Sequence, residues 1–268
     1  MRVDPVLWLT AVAAAWGAAV GVLVPRAAHR FCVEPDQAWR DRCPGGHVIT
    51  GVAGGWLGPA RCAECAGRTV PAASGDAGRP ARVAVAASYG PRTPLVALTT
   101  ALVCAGLALA TGVRPELGAW LLLAPLGVLL AVVDFGVQRL PDVLTLPLAG
   151  LALALLGAAA VLPEHAGNWP TALFGALALG CAYFVLFLVN PNGMGFGDVK
   201  LALGLGAVLG WYGWGTVVLG TFAGFLFGGL YGLGLVLARR AGRRTSIPFG
   251  PFLIAGAYVG LLMGAYAA

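Results

Sequence analysis

The sequence predicts an all-α membrane protein with about eight transmembrane helices and one cytoplasmic loop region between the first two. Of its 268 residues, 59% are hydrophobic and 10% are charged, whereas average soluble domains are about 25% charged. A soluble globule of this length could not bury so much apolar surface. The composition therefore excludes a soluble enzyme, a disordered protein and a basic nucleic-acid-binding domain, and it predicts a lipid bilayer as the surroundings of the chain.

Stretches without charged residues place the helices. A helix needs about 20 apolar residues to cross the bilayer. The stretch 201–238 is too long for one crossing, and the glycines and aromatic residues at 210–215 supply a turn within it. The eight expected helices lie near residues 6–24, 94–112, 117–134, 143–161, 170–189, 199–212, 216–237 and 249–267.

This pattern divides the chain into a first helix at 1–25, a loop region at 26–92 and a seven-helix membrane domain at 93–268. Eight crossings put both termini on the same side of the membrane. The arginines gather in the loop region and at 239–244, and cytoplasmic loops carry an excess of basic residues. We therefore expect the loop region inside the cell and both termini outside.

Acidic residues at membrane depth are costly and usually functional. Eight of the 11 acidic residues fall in predicted loops or tails, where solvated surface charge explains them: Asp4, Glu34, Asp36, Asp41, Glu64, Asp76, Glu116 and Glu164. Asp134, Asp142 and Asp198 remain, each at the inner end of a predicted helix. Asp142 precedes its helix, so we expect it to cap and position that helix. Asp134 ends a helix, where the dipole disfavours negative charge.

The surroundings of Asp198 also favour function. Gly195 and Gly197 lie beside it and would let another backbone come close. Lys200, two residues further on, is the sole lysine of the chain. Two interpretations of Lys200 stay open: it orients Asp198 or a substrate, or it is an ordinary cation at the membrane interface.

Several sequence strings resemble motifs of one known family, the type IV prepilin peptidases. Residues 193–202, GMGFGDVKLA, resemble the GxGD motif of that family. Asp134, followed by Arg-Leu-Pro-Asp at 139–142 and Thr-Leu-Pro at 145–147, is similar to its first aspartate motif. Further similar segments lie at 29–30, 92–96 and 247–252. Several motifs in the family's order make the resemblance specific.

The resemblance implies an aspartic endopeptidase of the inner membrane that cuts the basic leader from prepilins and pseudopilins at the cytoplasmic face. It carries the catalytic pair over to Asp134 and Asp198. We expect Asp142, Lys200, Gly195 and Gly197 to support this pair. Two carboxylates held close share a proton, so one can accept a proton from water while the other donates to the scissile carbonyl oxygen. A prepilin joins its leader to an apolar helix, and a site at the inner membrane surface would meet that junction.

Many members of this family carry two CxxC pairs with zinc in the loop, and they N-methylate the new N-terminus with S-adenosylmethionine. Here Cys62 and Cys65 form one pair, whereas Cys43 stands alone with His47 four residues on. These four residues would make a tetrahedral Cys3His zinc site; the other interpretation is a decayed site with free thiols. Ala97 stands where the family carries Glu, so the sequence leaves methyl transfer open.

Two other functions remain as alternatives. A proton-coupled transporter could use the three aspartates as a relay, but it predicts internal repeats and acidic residues near the bilayer midplane. A different GxGD intramembrane protease, of the presenilin or preflagellin type, is disfavoured by the Leu-Pro-Asp string and by Ile-Pro-Phe-Gly-Pro at 247–251. We expect prepilins and lipid as partners, and no nucleic acid.

Overall fold

The structure is a computed structural model that describes residues 4–34, 37–66, 69–71, 82–84, 87–191, 193–238 and 247–268. Eight long helices and one short helix occur in these residues. They are α1 (Pro5–Phe31), α2 (Val52–Gly55), α3 (Thr93–Thr111), α4 (Glu116–Val137), α5 (Asp142–Ala160), α6 (Trp169–Val189), α7 (Phe196–Gly210), α8 (Trp214–Leu237) and α9 (Gly250–Ala267). The arginine-rich run at 239–244 lies outside the described residues.

The predicted all-α membrane fold is confirmed. Among the described helices, seven are long and apolar enough to cross a membrane. The remaining long helix, α7, has 15 residues and is about 22 Å long at 1.5 Å per residue, which is shorter than the hydrocarbon core. It begins three residues before the predicted start at 199, so Asp198 lies in its first turn.

Helix α1 continues past its predicted end because its polar residues find partners in the loop. The Arg26 guanidinium donates to the carbonyl of Thr50 at 2.9 Å, and that of Arg30 donates to the carbonyl of Gly54 at 3.0 Å. The loop backbone also binds the helix, since the Gly58 N–H donates to the Leu23 carbonyl at 3.0 Å. The boundary predicted at 25/26 is therefore not a break in the helix.

The loop region folds into a small module on the end of α1. Its buried cluster contains Cys43, Ile49, Ala60, Cys65 and Tyr89. Two short strands, β1 (Thr69–Pro71) and β2 (Arg82–Ala84), pair antiparallel and are an addition to the predicted all-α class. The segments 72–81 and 85–86 of the loop region lie outside the described residues.

Small residues let several helix pairs meet backbone to backbone. A Cβ on Gly17 of α1 would lie 2.6 Å from the Thr100 carbonyl oxygen of α3, and one on Gly210 of α7 would lie 2.5 Å from the Thr171 carbonyl oxygen of α6. Apolar attraction between helices is weak in lipid, so such close packing is a main source of helix association there.

Contacts between the loops define two ends of the helix bundle. At the end that carries the loop module, called the loop end, the Arg139 guanidinium donates to the Glu34 carbonyl at 3.1 Å. At the opposite end, called the far end, the Arg114 guanidinium donates to the Ala265 carbonyl at 3.0 Å. The predicted inner helix ends that hold Asp134, Asp142 and Asp198 all lie at the loop end.

Glu116 corrects one prediction from the sequence. It was expected to be a solvated surface charge, but its side chain is completely buried (0% exposed) at the far end. Its Oε1 atom accepts from the Ala166 N–H at 3.3 Å and from the Tyr212 hydroxyl at 3.4 Å. The connections α5–α6 and α7–α8 cover the start of α4. The sequence shows only that Glu116 lies near a predicted loop, and it does not show that these two distant connections bury the side chain.

Candidate active site and metal centre

Asp134 lies in the last turn of α4 and is 4% exposed. Its Oδ2 atom accepts a hydrogen bond from the backbone N–H of Gly250 at 3.0 Å. Gly250 opens α9, so the carboxylate faces the positive end of another helix, which offsets the unfavourable dipole of its own helix end. A Cβ on Gly250 would lie 2.9 Å from Oδ2, and only glycine permits this approach without a shift. This partner could not be predicted from the sequence pattern, although Gly250 lies in the Ile-Pro-Phe-Gly-Pro string.

Asp198 lies in the first turn of α7 and is 7% exposed. Its backbone N–H donates to the carbonyl of Gly195, the residue that precedes the helix, at 3.0 Å. A Cβ on Gly197 would lie 2.9 Å from the Cβ of Leu140. The start of α7 is thus pressed against the α4–α5 connection, as the flanking glycines suggested.

Leu140 links the surroundings of the two aspartates. It is 6% exposed, it touches Gly197 beside Asp198, and its Cδ1 would lie 3.2 Å from a Cβ on Gly250. The two carboxylates are close enough to interact electrostatically. The structure therefore brings both sequence-predicted aspartates to one buried place at the loop end.

Asp142 is the first residue of α5, and Pro141 occupies the N-cap position before it. The Asp142 carboxylate lies in the first turn, where it meets the helix dipole favourably. Its Oδ2 atom lies 2.6 Å from the Nζ atom of Lys200, which also lies 4.8 Å from the centre of the Phe196 ring. The ion pair joins α5 to α7. The long lysine side chain reaches a residue that is far away in the sequence, so the pair could not be predicted from the sequence.

The four predicted metal ligands come together in the loop module. The ligand atoms of Cys43, His47, Cys62 and Cys65 all lie within 4.8 Å of one another. The His47 Nδ1 atom is 3.6, 3.5 and 3.3 Å from the sulfurs of Cys43, Cys62 and Cys65, and the sulfurs of Cys43 and Cys65 are 3.7 Å apart. A tetrahedral zinc ion with the usual bond lengths separates its ligands by about 3.6–3.8 Å, so these residues fit such an ion.

The surroundings of this cluster shift the pKa values of two of its thiols in opposite directions. Burial acts to raise the pKa of the Cys43 thiol, but hydrogen bonds from the backbone and ring of His47 outweigh it and lower the pKa to about 6. Burial and the neighbouring sulfurs raise the pKa of Cys65 to about 11. Glu64 lies behind the imidazole, with 3.3 Å between its Oε2 and the His47 Nε2, an arrangement that orients metal-binding histidines.

The fold and these two sites define a class: a polytopic membrane protein with a buried aspartate pair at one end and a Cys3His cluster in a module beside it. The chain belongs to the type IV leader peptidase family, whose model matches residues 121–233. This window contains both aspartates and confirms the resemblance seen in the sequence.

Two curated relatives are called prepilin leader peptidase/N-methyltransferase. The protein from Pseudomonas aeruginosa is 38% identical over 186 residues, which cover 66% of this chain and 60% of the relative. The protein from Stutzerimonas stutzeri is 34% identical over 215 residues, which cover 78% of this chain and 73% of the relative. The first match thus spans about three-fifths of the relative's length. No solved structure matches the chain.

Proposed function

We propose that this chain is a membrane aspartic endopeptidase that removes the leader peptide of prepilins or pseudopilins at the cytoplasmic face, with Asp134 and Asp198 as its catalytic pair. One observation carries the proposal: two buried carboxylates from separate helices come together around Leu140 at the loop end. The names of the relatives supply the substrate class.

The chemistry follows from the sharing of one proton by two close carboxylates. The ionised carboxylate takes a proton from a water molecule, whose oxygen attacks the scissile carbonyl carbon, while the protonated partner donates to the carbonyl oxygen. When the tetrahedral intermediate collapses, the first carboxyl gives the water-derived proton to the leaving amine. The second carboxylate takes back the proton from a hydroxyl group of the intermediate, which restores the pair. The Gly250 N–H holds Asp134 in one orientation, and the pair titrates as a unit.

Conservative substitutions of the two aspartates test this proposal. Asp134→Asn and Asp198→Asn keep the size of each side chain but cannot share the proton, so we expect each variant to lose cleavage of a prepilin reconstituted in vesicles. Asp41→Asn serves as a control, because Asp41 has a side chain that is 69% exposed in the loop module. Leader removal is followed by the shift in electrophoretic mobility. Normal cleavage by either aspartate variant would contradict the assignment.

We also propose that Cys43, His47, Cys62 and Cys65 hold one zinc ion with a structural role. Four protein ligands leave no coordination position for a reacting water. The module has a small buried cluster, so metal ligation would replace burial as a source of its order. Zinc binding is thus separate from the proposed hydrolysis.

N-methylation of the new N-terminus with S-adenosylmethionine is a second proposed activity, and the name of the relatives is its support. The prepilin assay tests it directly when S-adenosylmethionine is added and the product is weighed by mass spectrometry. Gain of one methyl group on the cleaved N-terminus is the expected result. A cleaved product without that gain would limit the chain to hydrolysis.

For orientation, we propose that the loop end faces the cytoplasm and that both termini lie outside. The support is the distribution of arginines: Arg26, Arg30, Arg92 and Arg139 border the loop end, whereas Arg114 lies at the far end. The transporter alternative required aspartates near the midplane, but the three aspartates at helix ends lie at the loop end.

A further inference from the structure

An apolar groove runs along the membrane domain and has a volume of about 360 Å³. Helices α3, α4 and α9 form its walls, and residues of α5 and α7 form its floor. Among the described residues that line it, Thr99, Trp120 and Tyr258 carry the polar side-chain atoms, and all the others are apolar. This groove can therefore bind hydrocarbon but offers little to a polar ligand.

One end of the groove lies one residue from the candidate active site along both α4 and α9. Phe135 and Pro251 line its loop end, and they directly follow Asp134 and Gly250, which share the 3.0 Å hydrogen bond. Along α4 the groove continues from Phe135 to Trp120, an interval of about 22 Å at 1.5 Å per residue. A chain segment lying in the groove would thus begin next to the Asp134–Gly250 contact and extend along most of the membrane thickness.

Small residues create the space in this groove. Ala124, Gly127 and Ala131 line it from one face of α4, and Ala255 lines it from α9. Their spacing of three and four residues keeps them on a single side of the helix. An apolar helix that lies in a groove inserts side chains at the same spacing, so the wall matches the periodicity of a helical ligand.

We propose that this groove binds an apolar helix of the substrate, the membrane segment directly joined to the scissile bond. The inference rests on the proposed peptidase function and adds the place where the substrate's apolar part binds. The volume accepts a few side chains from one face of that helix. The rest of the helix would lie outside the groove, beyond lining residues such as Phe135, which is 54% exposed.

Filling the groove tests the inference kinetically. Ala131→Trp and Ala255→Trp fill it from opposite walls, and Ala154→Trp is the matched control, because Ala154 of α5 is exposed and does not line the groove. Each enzyme is given a full-length prepilin in phosphatidylethanolamine–phosphatidylglycerol vesicles and a soluble peptide with the same scissile bond but no apolar helix. We expect KM for the full-length prepilin to rise about tenfold or more in the groove variants. KM for the peptide should stay near the wild-type value, and the control should change neither.

Crosslinking tests the inference without catalysis. A photoreactive benzoylphenylalanine replaces Ala131 or Ala154 in an Asp134→Asn background, and the full-length prepilin is added in the same vesicles. We expect prepilin crosslinks from position 131 and few from position 154. Crosslinks to lipid alone, or equal KM values in the groove and control variants, would overturn the inference. If the wild type cleaves neither substrate, the proposed function fails, and the crosslinks still decide whether the groove binds the helix.

Discussion

Replacing Gly250 with Ala would place one methyl group inside the candidate active site. The added Cβ would lie 2.9 Å from Asp134 Oδ2 and 3.2 Å from Leu140 Cδ1, both closer than an ordinary contact. The carboxylate must then move away from the Gly250 N–H, to which it is bound at 3.0 Å. Because a misplacement of about 1 Å can cost about 100-fold in rate, we expect kcat to fall by about 10- to 100-fold.

The same substitution should leave folding nearly intact. Ala is favoured over Gly in a helix by about 1 kcal/mol, and Gly250 does not have a positive φ, so backbone preference offsets part of the steric cost. The control is Gly150→Ala in α5, where a Cβ would meet nothing within 4 Å. Prepilin cleavage kinetics and thermal unfolding are measured for both variants. A wild-type kcat for Gly250→Ala would refute the claim that this contact positions Asp134.

Three further predictions concern other parts of the chain. Cys62→Ser with Cys65→Ser should reduce bound zinc from about one equivalent to none while cleavage continues; elemental analysis decides this, and unchanged metal content would refute the site. Glu116→Ala should lower the thermal stability, because it leaves Tyr212 and Ala166 without their acceptor at about 1–3 kcal/mol each. Glu116→Gln should regain much of the lost thermal stability, and Glu34→Ala, at an exposed position, should not change it. Equal melting temperatures for all three variants would contradict a stabilising role of the buried Glu116 side chain. A single Cys at position 242 or 61 in a Cys-free variant should resist an impermeant thiol reagent added outside, and one at position 166 should react; outside labelling of position 242 would reverse the orientation.

The sequence was most informative where structure depends on local pattern. Long apolar stretches predicted the helices, because a helix that crosses the bilayer can be recognised from the length and composition of its own segment. The resemblance to the family's two CxxC pairs predicted that Cys43, His47, Cys62 and Cys65 lie together, and their ligand atoms all lie within 4.8 Å of one another.

Contacts between distant segments were not predictable. Asp142 was expected to cap its own helix, yet it pairs with Lys200 on another helix. Glu116 was expected in water, yet two connections from elsewhere in the chain cover it. Asp134 gained a partner 116 residues away in Gly250. In each case the partner atom belongs to a segment that is distant in sequence and comes close only when the helix bundle has assembled.

The depth of the aspartates in the membrane follows from helix lengths measured from Glu116 at the far end. Asp134 is on the same helix as Glu116 and lies about 27 Å further along its axis. On α7, the reference point is Trp211, because the next residue, Tyr212, donates a hydrogen bond to Glu116. Asp198 lies about 20 Å along α7 from Trp211. Both distances are less than the roughly 30 Å of hydrocarbon. If the buried Glu116 marks the far edge of the hydrocarbon, Asp134 lies about 3 Å and Asp198 about 10 Å inside the opposite surface. Under the proposed function, a scissile bond would therefore have to enter the membrane edge to reach them, close to the loop end of the apolar groove.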